Sequence, residues 1–148
     1  MTEQRVSLEE LQAFFTRDFP QAKLTIEELG PGRARVRQAI DFGHLRPGGT
    51  VSGPVMMALA DSASYAAILS RIGIVPLAVT TNLNINFLRK PSADAALVAE
   101  ASILKLGKLL VVCEARVYSE GNAEPVAHAT ATYAIPPARP GNGDKLTG

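Results

Sequence analysis

Residues 54–73 read PVMMALADSASYAAILSRIG, and the fold turns on that stretch. It has no strand-like alternation and is dense in Ala, Met and Leu, so it predicts a helix over about residues 54–71. Ser52 or Gly53 stands at the N-cap, Pro54 lies in the first turn, and Gly73 follows the end. Asp61 is the only formal charge between residues 54 and 70. A helix apolar nearly all round belongs inside a fold rather than on its surface.

Downstream, every segment has strand character. Leu77, Val79, Thr81, Leu83, Ile85 and Phe87 make one face of a long strand, opposite Thr80, Asn82, Asn84 and Asn86. Further strands are expected over about residues 95–106, 109–119 and 125–135. Gly107-Lys108 and Glu120-Gly121-Asn122 provide the turns between them. Upstream, Ser7 and Glu10 have capping-box spacing, and Leu8, Leu11, Phe14 and Phe15 follow at helical intervals, predicting a helix over about 8–17. Residues 24–29 read as a strand, Gly30-Pro31-Gly32 as a turn, and Ala34, Val36 and Ile40 alternate with Arg33, Arg35 and Arg37 in a second strand with a basic, solvated face. One long helix among short-linked, hence antiparallel, strands implies an α+β fold in which the sheet curls round the helix. Apolar surface left open by such a fold is expected to be covered by oligomerisation.

Length and composition narrow the functional classes. The chain has 148 residues, 47% hydrophobic and 20% charged, which predicts one folded domain over 1–136. The Pro/Gly-rich tail over 137–148 is expected to be disordered. A formal net charge of +1 gives no support to a nucleic-acid binder held by a basic face, or to an electrostatic membrane-surface protein. With one cysteine, Cys113, and two histidines, no internal disulfide and no zinc set are expected. Cys113 reads as a small core residue. Residues 55–69 fall short of a membrane span in the sequence, because Asp61 interrupts them and Ala and Ser dilute them. The N-terminal residues carry no signal-peptide pattern, so a cytoplasmic protein is expected.

Chemistry centres on Asp61. An ionised carboxylate among apolar neighbours needs a partner, a proton or a water-lined pocket, since leaving it bare costs several kcal/mol. A structural pairing with Arg46 and a functional role are both open on the residues alone. The preceding loop, HLRPGGTVSGP over 44–54, brings glycines and free backbone N–H groups to a helix N-terminus, where an oxyanion can be held. It is no phosphate-gripping loop, because no Lys-Ser or Lys-Thr follows the glycines.

SGPVMMALADSASYAAI over 52–68 and VTTNLNINFLRKP over 79–91 resemble two segments of the hotdog-fold acyl-CoA thioesterases, those similar to the phenylacetate-degradation thioesterase. The resemblance spans roughly residues 34–135. It implies a long central helix wrapped by an antiparallel sheet of five or six strands, and a homodimer with sites at the subunit interface, often paired into a homotetramer. It implies an acyl-CoA substrate, with CoA belonging to the substrate and no separate cofactor or metal.

By position, the resemblance makes Asp61 the general base or nucleophile and Gly53 the donor that polarises the thioester carbonyl. Thr80 would help place the attacking water. His44, Arg46, Ser52, Arg89 and Lys90 fall on the substrate-binding side, the last two where CoA phosphates are held. Ser52 stands where the family has a histidine, Pro54 replaces a second glycine, and Arg46 takes a position often held by Asn. Arg46 is expected either to pair with Asp61 or to contact the substrate. Two other readings stay open: an acyl-thioester dehydratase or hydratase of the same fold, suggested by GHLRP over 43–47, and a non-catalytic acyl-CoA binding module.

Overall fold

The computed structural model describes residues 3–137. Helix α1 (Leu8–Asp18) is followed by strands β1 (Leu24–Gly30) and β2 (Arg33–Gln38). A minimal two-residue ladder, β3 (Leu45–Arg46) with β4 (Thr50–Val51), leads into helix α2 (Gly53–Ile72). Strands β5 (Val79–Phe87), β6 (Leu97–Leu106), β7 (Leu110–Ser119) and β8 (Ala127–Ala134) complete the chain. The main sheet is six-stranded and antiparallel in the order β1-β2-β6-β7-β8-β5. This is the hotdog-like arrangement that the resemblance implies: one long helix packed against a six-stranded antiparallel sheet.

Local chemistry explains the elements. The α1 capping box is complete: the Glu10 N–H donates to Ser7 Oγ at 3.0 Å, and the Ser7 N–H donates to Glu10 Oε1 at 2.9 Å. Gln12 then fastens α1 to β1, its amide donating to the Leu24 carbonyl at 3.0 Å and accepting from the Ile26 N–H at 2.7 Å. Leu11, Phe14 and Phe15 turn inward. On β2, Ala34 and Val36 face the core. Of the arginines that alternate with them, Arg35 is ion-paired with Glu27 and Glu100 and Arg37 with Glu120, whereas Arg33 is exposed with no ion pair among the described residues.

Three expectations need correcting. First, α2 is not enclosed all round. Met56, Leu59, Ala60, Ala63, Ala67 and others are buried, but Met57, Ala58, Asp61, Ser62 and Tyr65 share an open or half-open face. Second, α2 is long and apolar enough for a membrane span by length and composition, 20 residues with mean hydropathy 1.2, yet 56% of that window is buried inside the fold. Burial against a sheet accounts for its composition. Third, the face assignment of β5 fails at its start. A bulge between Thr80 and Asn82 sets Thr80 across from Tyr133, on the same side as Leu83, Ile85 and Phe87, and sets Val79 across from Ala134 on the opposite side, where it is half-exposed. Cys113 is fully buried, as a small core residue should be. Residues 138–148, where the disordered tail was expected, lie outside the described residues.

Candidate functional site

Thr80 on β5 and Tyr133 on β8 are direct cross-strand partners, so both side chains leave the sheet on the same side. That side faces α2, and both hydroxyls end on the same atom. Thr80 Oγ1 donates to Oδ1 of Asp61 at 2.7 Å, and the Tyr133 hydroxyl lies 2.7 Å from the same oxygen and 2.9 Å from the Asp61 backbone carbonyl. Oδ2 takes no hydrogen bond among the described residues. The carboxylate is therefore made unequal: one oxygen is held by two donors, and the other is without a partner among the described residues.

Burial, followed by the neighbouring Asp61 carboxylate, pushes the Tyr133 hydroxyl well above its ordinary pKa. It remains a protonated donor at any physiological pH. Removing a buried phenol from water without giving it an acceptor would be costly, and Asp61 is that acceptor. The polar partner that Asp61 requires is thus a pair of hydroxyls rather than Arg46.

A cavity of about 350 Å³ opens beside Asp61 and Tyr133, walled by Phe14, Phe15 and Phe19 from the α1 side, Ala58 and Tyr65 of α2, and Pro76. Tyr65, one helical turn beyond Asp61, stacks on Tyr133 with ring centroids 5.9 Å apart and on Phe15 at 6.1 Å. Three stacked rings therefore run from α1 to the carboxylate.

The glycine loop has a different local logic from the one expected. Gly48 and Gly49 have φ of +96° and +77°, left-handed values that the β3–β4 hairpin turn requires. The Gly49 N–H closes that turn on the Arg46 carbonyl at 3.0 Å. Ser52 holds the N-cap position of α2 but makes no side-chain cap; its backbone N–H donates to the His44 carbonyl at 3.0 Å. His44 locks a short turn, with Nδ1 accepting from the Asp41 N–H at 2.9 Å. Arg46 donates to its neighbour's carbonyl, Pro47 O, at 3.0 Å, and among the described residues no ion pair joins it to Asp61. Gly53 begins α2 against Phe87, whose ring would lie 3.2 Å from any added Cβ. Arg89 is tied to Glu124 at 3.1 Å and to the Pro125 carbonyl at 2.6 Å. Lys90 is exposed and has no ion-pair partner among the described residues.

The structure thus unites Asp61 and Thr80 and leaves the loop group apart. Gly53 and Asp61 are separated along α2 by about 12 Å at 1.5 Å per residue. Sequence reasoning missed Tyr133 and the α1 phenylalanines. The usable signal for Tyr133 was its place on the inward, otherwise Ala-lined face of β8, where a buried phenol must find an acceptor.

The family model of the thioesterase superfamily matches residues 48–126, a stretch that holds Gly53, Asp61 and Thr80 and more than half of the chain. This chain belongs to the thioesterase superfamily. A thioesterase candidate from a Silicibacter species is 43% identical, covering 92% of this chain and 96% of its own, with a TM-score of 0.85. The phenylacetic acid degradation protein PaaI of Thermus thermophilus, in the structure of a point mutant, is 29% identical over 80% of this chain and 98% of its own, with a TM-score of 0.70. Thioesterase superfamily member 2 of zebrafish shares the fold at 20% identity, covering 89% of this chain and 100% of its own, with a TM-score of 0.80. Among curated proteins none matches this chain.

Proposed function

We propose that this member of the thioesterase superfamily hydrolyses acyl-CoA thioesters, with Oδ2 of Asp61 as the working oxygen. The supporting observation is the unequal carboxylate: Oδ1 is fixed by Tyr133 and Thr80, and Oδ2 is free at the edge of an apolar cavity. As a base, Oδ2 takes a proton from water while the water oxygen adds to the thioester carbonyl. The oxyanion intermediate then collapses, the C–S bond breaks, and the CoA thiolate leaves and is protonated. As a nucleophile, Oδ2 itself adds to the carbonyl, CoA leaves, and water hydrolyses the resulting anhydride. Thr80 in this reading positions the carboxylate instead of the water.

In this reading Gly53 acts from a second copy, because Gly53 of the same chain is about two helical turns from Asp61 along the helix. The exposed edge of β5, with apolar Val79, Phe87 and Leu88 half-exposed beside it, is the surface on which two copies would join. The Gly53 N–H of the partner would then hold the carbonyl oxygen, with His44, Arg46 and Ser52 of that loop nearby. Lys90, without an ion-pair partner among the described residues, is a cation for a CoA phosphate, and Arg89 can add to it by leaving Glu124. Homodimers that pair again into a tetramer are part of the same proposal.

Release of free thiol from a panel of short, medium and aromatic acyl-CoAs by the full-length protein tests this reading. Turnover well above background that is lost in Asp61→Asn supports it. Tight acyl-CoA binding with background turnover in the wild type would instead make the protein a binding module.

A further inference from the structure

We infer that the cavity roofed by α1 is the acyl subsite, and that it selects uncharged, apolar acyl groups of medium size. The inference rests on the functional reading above and specifies its substrate class. Asp61 itself lines the cavity, together with Tyr65 and Phe15, so a thioester carbonyl presented to the carboxylate has the stacked rings of those two residues within the same enclosure for its acyl chain. At about 350 Å³ it has more than twice the room of a roughly 150 Å³ cavity that takes benzene. An acetyl group would leave most of it unfilled, so contact energy grows with chain length until the α1 wall is reached.

The chemistry of the wall fixes the polarity of the guest. Among the described residues, its only ionisable groups besides the two tyrosines are the carboxylates of Asp61 and Asp18, and no Lys, Arg or His lines it. A second carboxylate on the acyl chain would therefore be desolvated without a cation beside it, which is strongly disfavoured. The Tyr65 hydroxyl is already spent on the Pro76 carbonyl at 3.3 Å, which leaves the uncharged Ser62 hydroxyl as a side-chain donor of the wall and no cation to receive a second carboxylate. Because Phe14, Phe15 and Phe19 come from α1 and its C-cap, the N-terminal helix sets the depth of the subsite.

The test compares acetyl-, pentanoyl-, hexanoyl- and glutaryl-CoA with the wild type, Ala58→Phe and Phe19→Ala. Ala58 and Phe19 are exposed in the single chain, and circular dichroism with sedimentation checks that fold and assembly persist. The wild type should prefer pentanoyl- to glutaryl-CoA, and hexanoyl- to acetyl-CoA, by about tenfold or more in kcat/KM, the scale of discrimination in apolar pockets. Ala58→Phe should lower the hexanoyl-to-acetyl ratio by about tenfold, and Phe19→Ala should raise the ratio of longer chains. Turnover with ratios unmoved in both variants overturns the subsite while leaving thioester hydrolysis standing. If the wild type turns over none of these esters, the hydrolytic reading fails, and calorimetric binding decides the subsite. Tighter binding of hexanoyl- than acetyl-CoA, lost in Ala58→Phe, supports it, and equal affinities overturn it.

Discussion

The Tyr133 hydroxyl stands 2.7 Å from Oδ1 of Asp61 and 2.9 Å from the backbone carbonyl of the same residue, so one buried phenol fixes both the side chain and the helix position of the carboxylate. With Thr80 on the same oxygen, the carboxylate plane is set and Oδ2 has no hydrogen-bond partner among the described residues. Preorganisation of this kind acts on the rate more than on ground-state binding.

Tyr133→Phe keeps the ring stack on Tyr65 and removes only the hydroxyl. It should lower kcat by about 10- to 100-fold with little change in KM, the worth of a hydrogen bond to a charged acceptor. Thr80→Val should act in the same direction. Because both donors serve one oxygen, the double variant should be less impaired than the product of the two single effects. Steady-state kinetics on all three proteins checks this, and KM-only effects would place Tyr133 in the packing alone.

Gly53→Ala separates helix propensity from site geometry. Alanine favours the helix by about 1 kcal/mol, but its Cβ would meet the Phe87 ring at 3.2 Å. Phe87 is half-exposed and can move. Denaturant unfolding should therefore find stability within about 1 kcal/mol of wild type, while thiol release falls because the loop and helix start shift. Unchanged turnover would remove Gly53 from the oxyanion role.

Alkaline stability follows from two buried acids. Burial pushes the Cys113 thiol from 9.0 up to about 12, and burial with the Asp61 carboxylate pushes Tyr133 up from 10.0. In both cases the native state holds a proton that the unfolded chain releases. Their contribution is complete below the unfolded values and is lost as pH rises through the folded ones. Urea midpoints should fall progressively above about pH 9, and less steeply in Tyr133→Phe. Cys113 should resist thiol reagents at neutral pH in the native protein and react at once when unfolded.

Assembly is the next expectation. An edge strand flanked by half-exposed Val79, Phe87 and Leu88 invites pairing, and Gly53 and Asp61 of one chain are too far apart to share a carbonyl. Sedimentation at micromolar concentration should show a dimer or tetramer. Mixing inactive Asp61→Asn with a Gly53 variant should restore part of the activity, since one hybrid site would be intact; a monomer that is fully active would refute the composite site.

Much of the fold was legible because its signals are local. The Ser7–Glu10 capping box, Pro54 and Gly73 around α2, and the β-alternation of residues 110–119 each act within a few residues. Asp61 was legible because a lone charge on an apolar helix demands a partner. The partner was not, since Tyr133 lies 72 residues away and is brought there only by the β5–β8 register. Gly48 and Gly49 misled for the opposite reason: their positive φ serves a hairpin, and the sequence alone does not distinguish a turn glycine from a ligand-approach glycine. The β5 face misled at Val79 and Thr80, because the bulge that exchanges their sides leaves no mark in the alternation.

The most direct measurement is thiol release from hexanoyl-CoA by the wild type and by Asp61→Asn, a variant that keeps the shape and the Thr80 and Tyr133 contacts to the amide oxygen. Loss of about a hundredfold to ten-thousandfold in kcat is the expected result, the span that a positioned base contributes, with circular dichroism and sedimentation unchanged. Wild-type turnover in the Asp61→Asn protein would contradict the assignment of Asp61 as the catalytic acid–base or nucleophilic group.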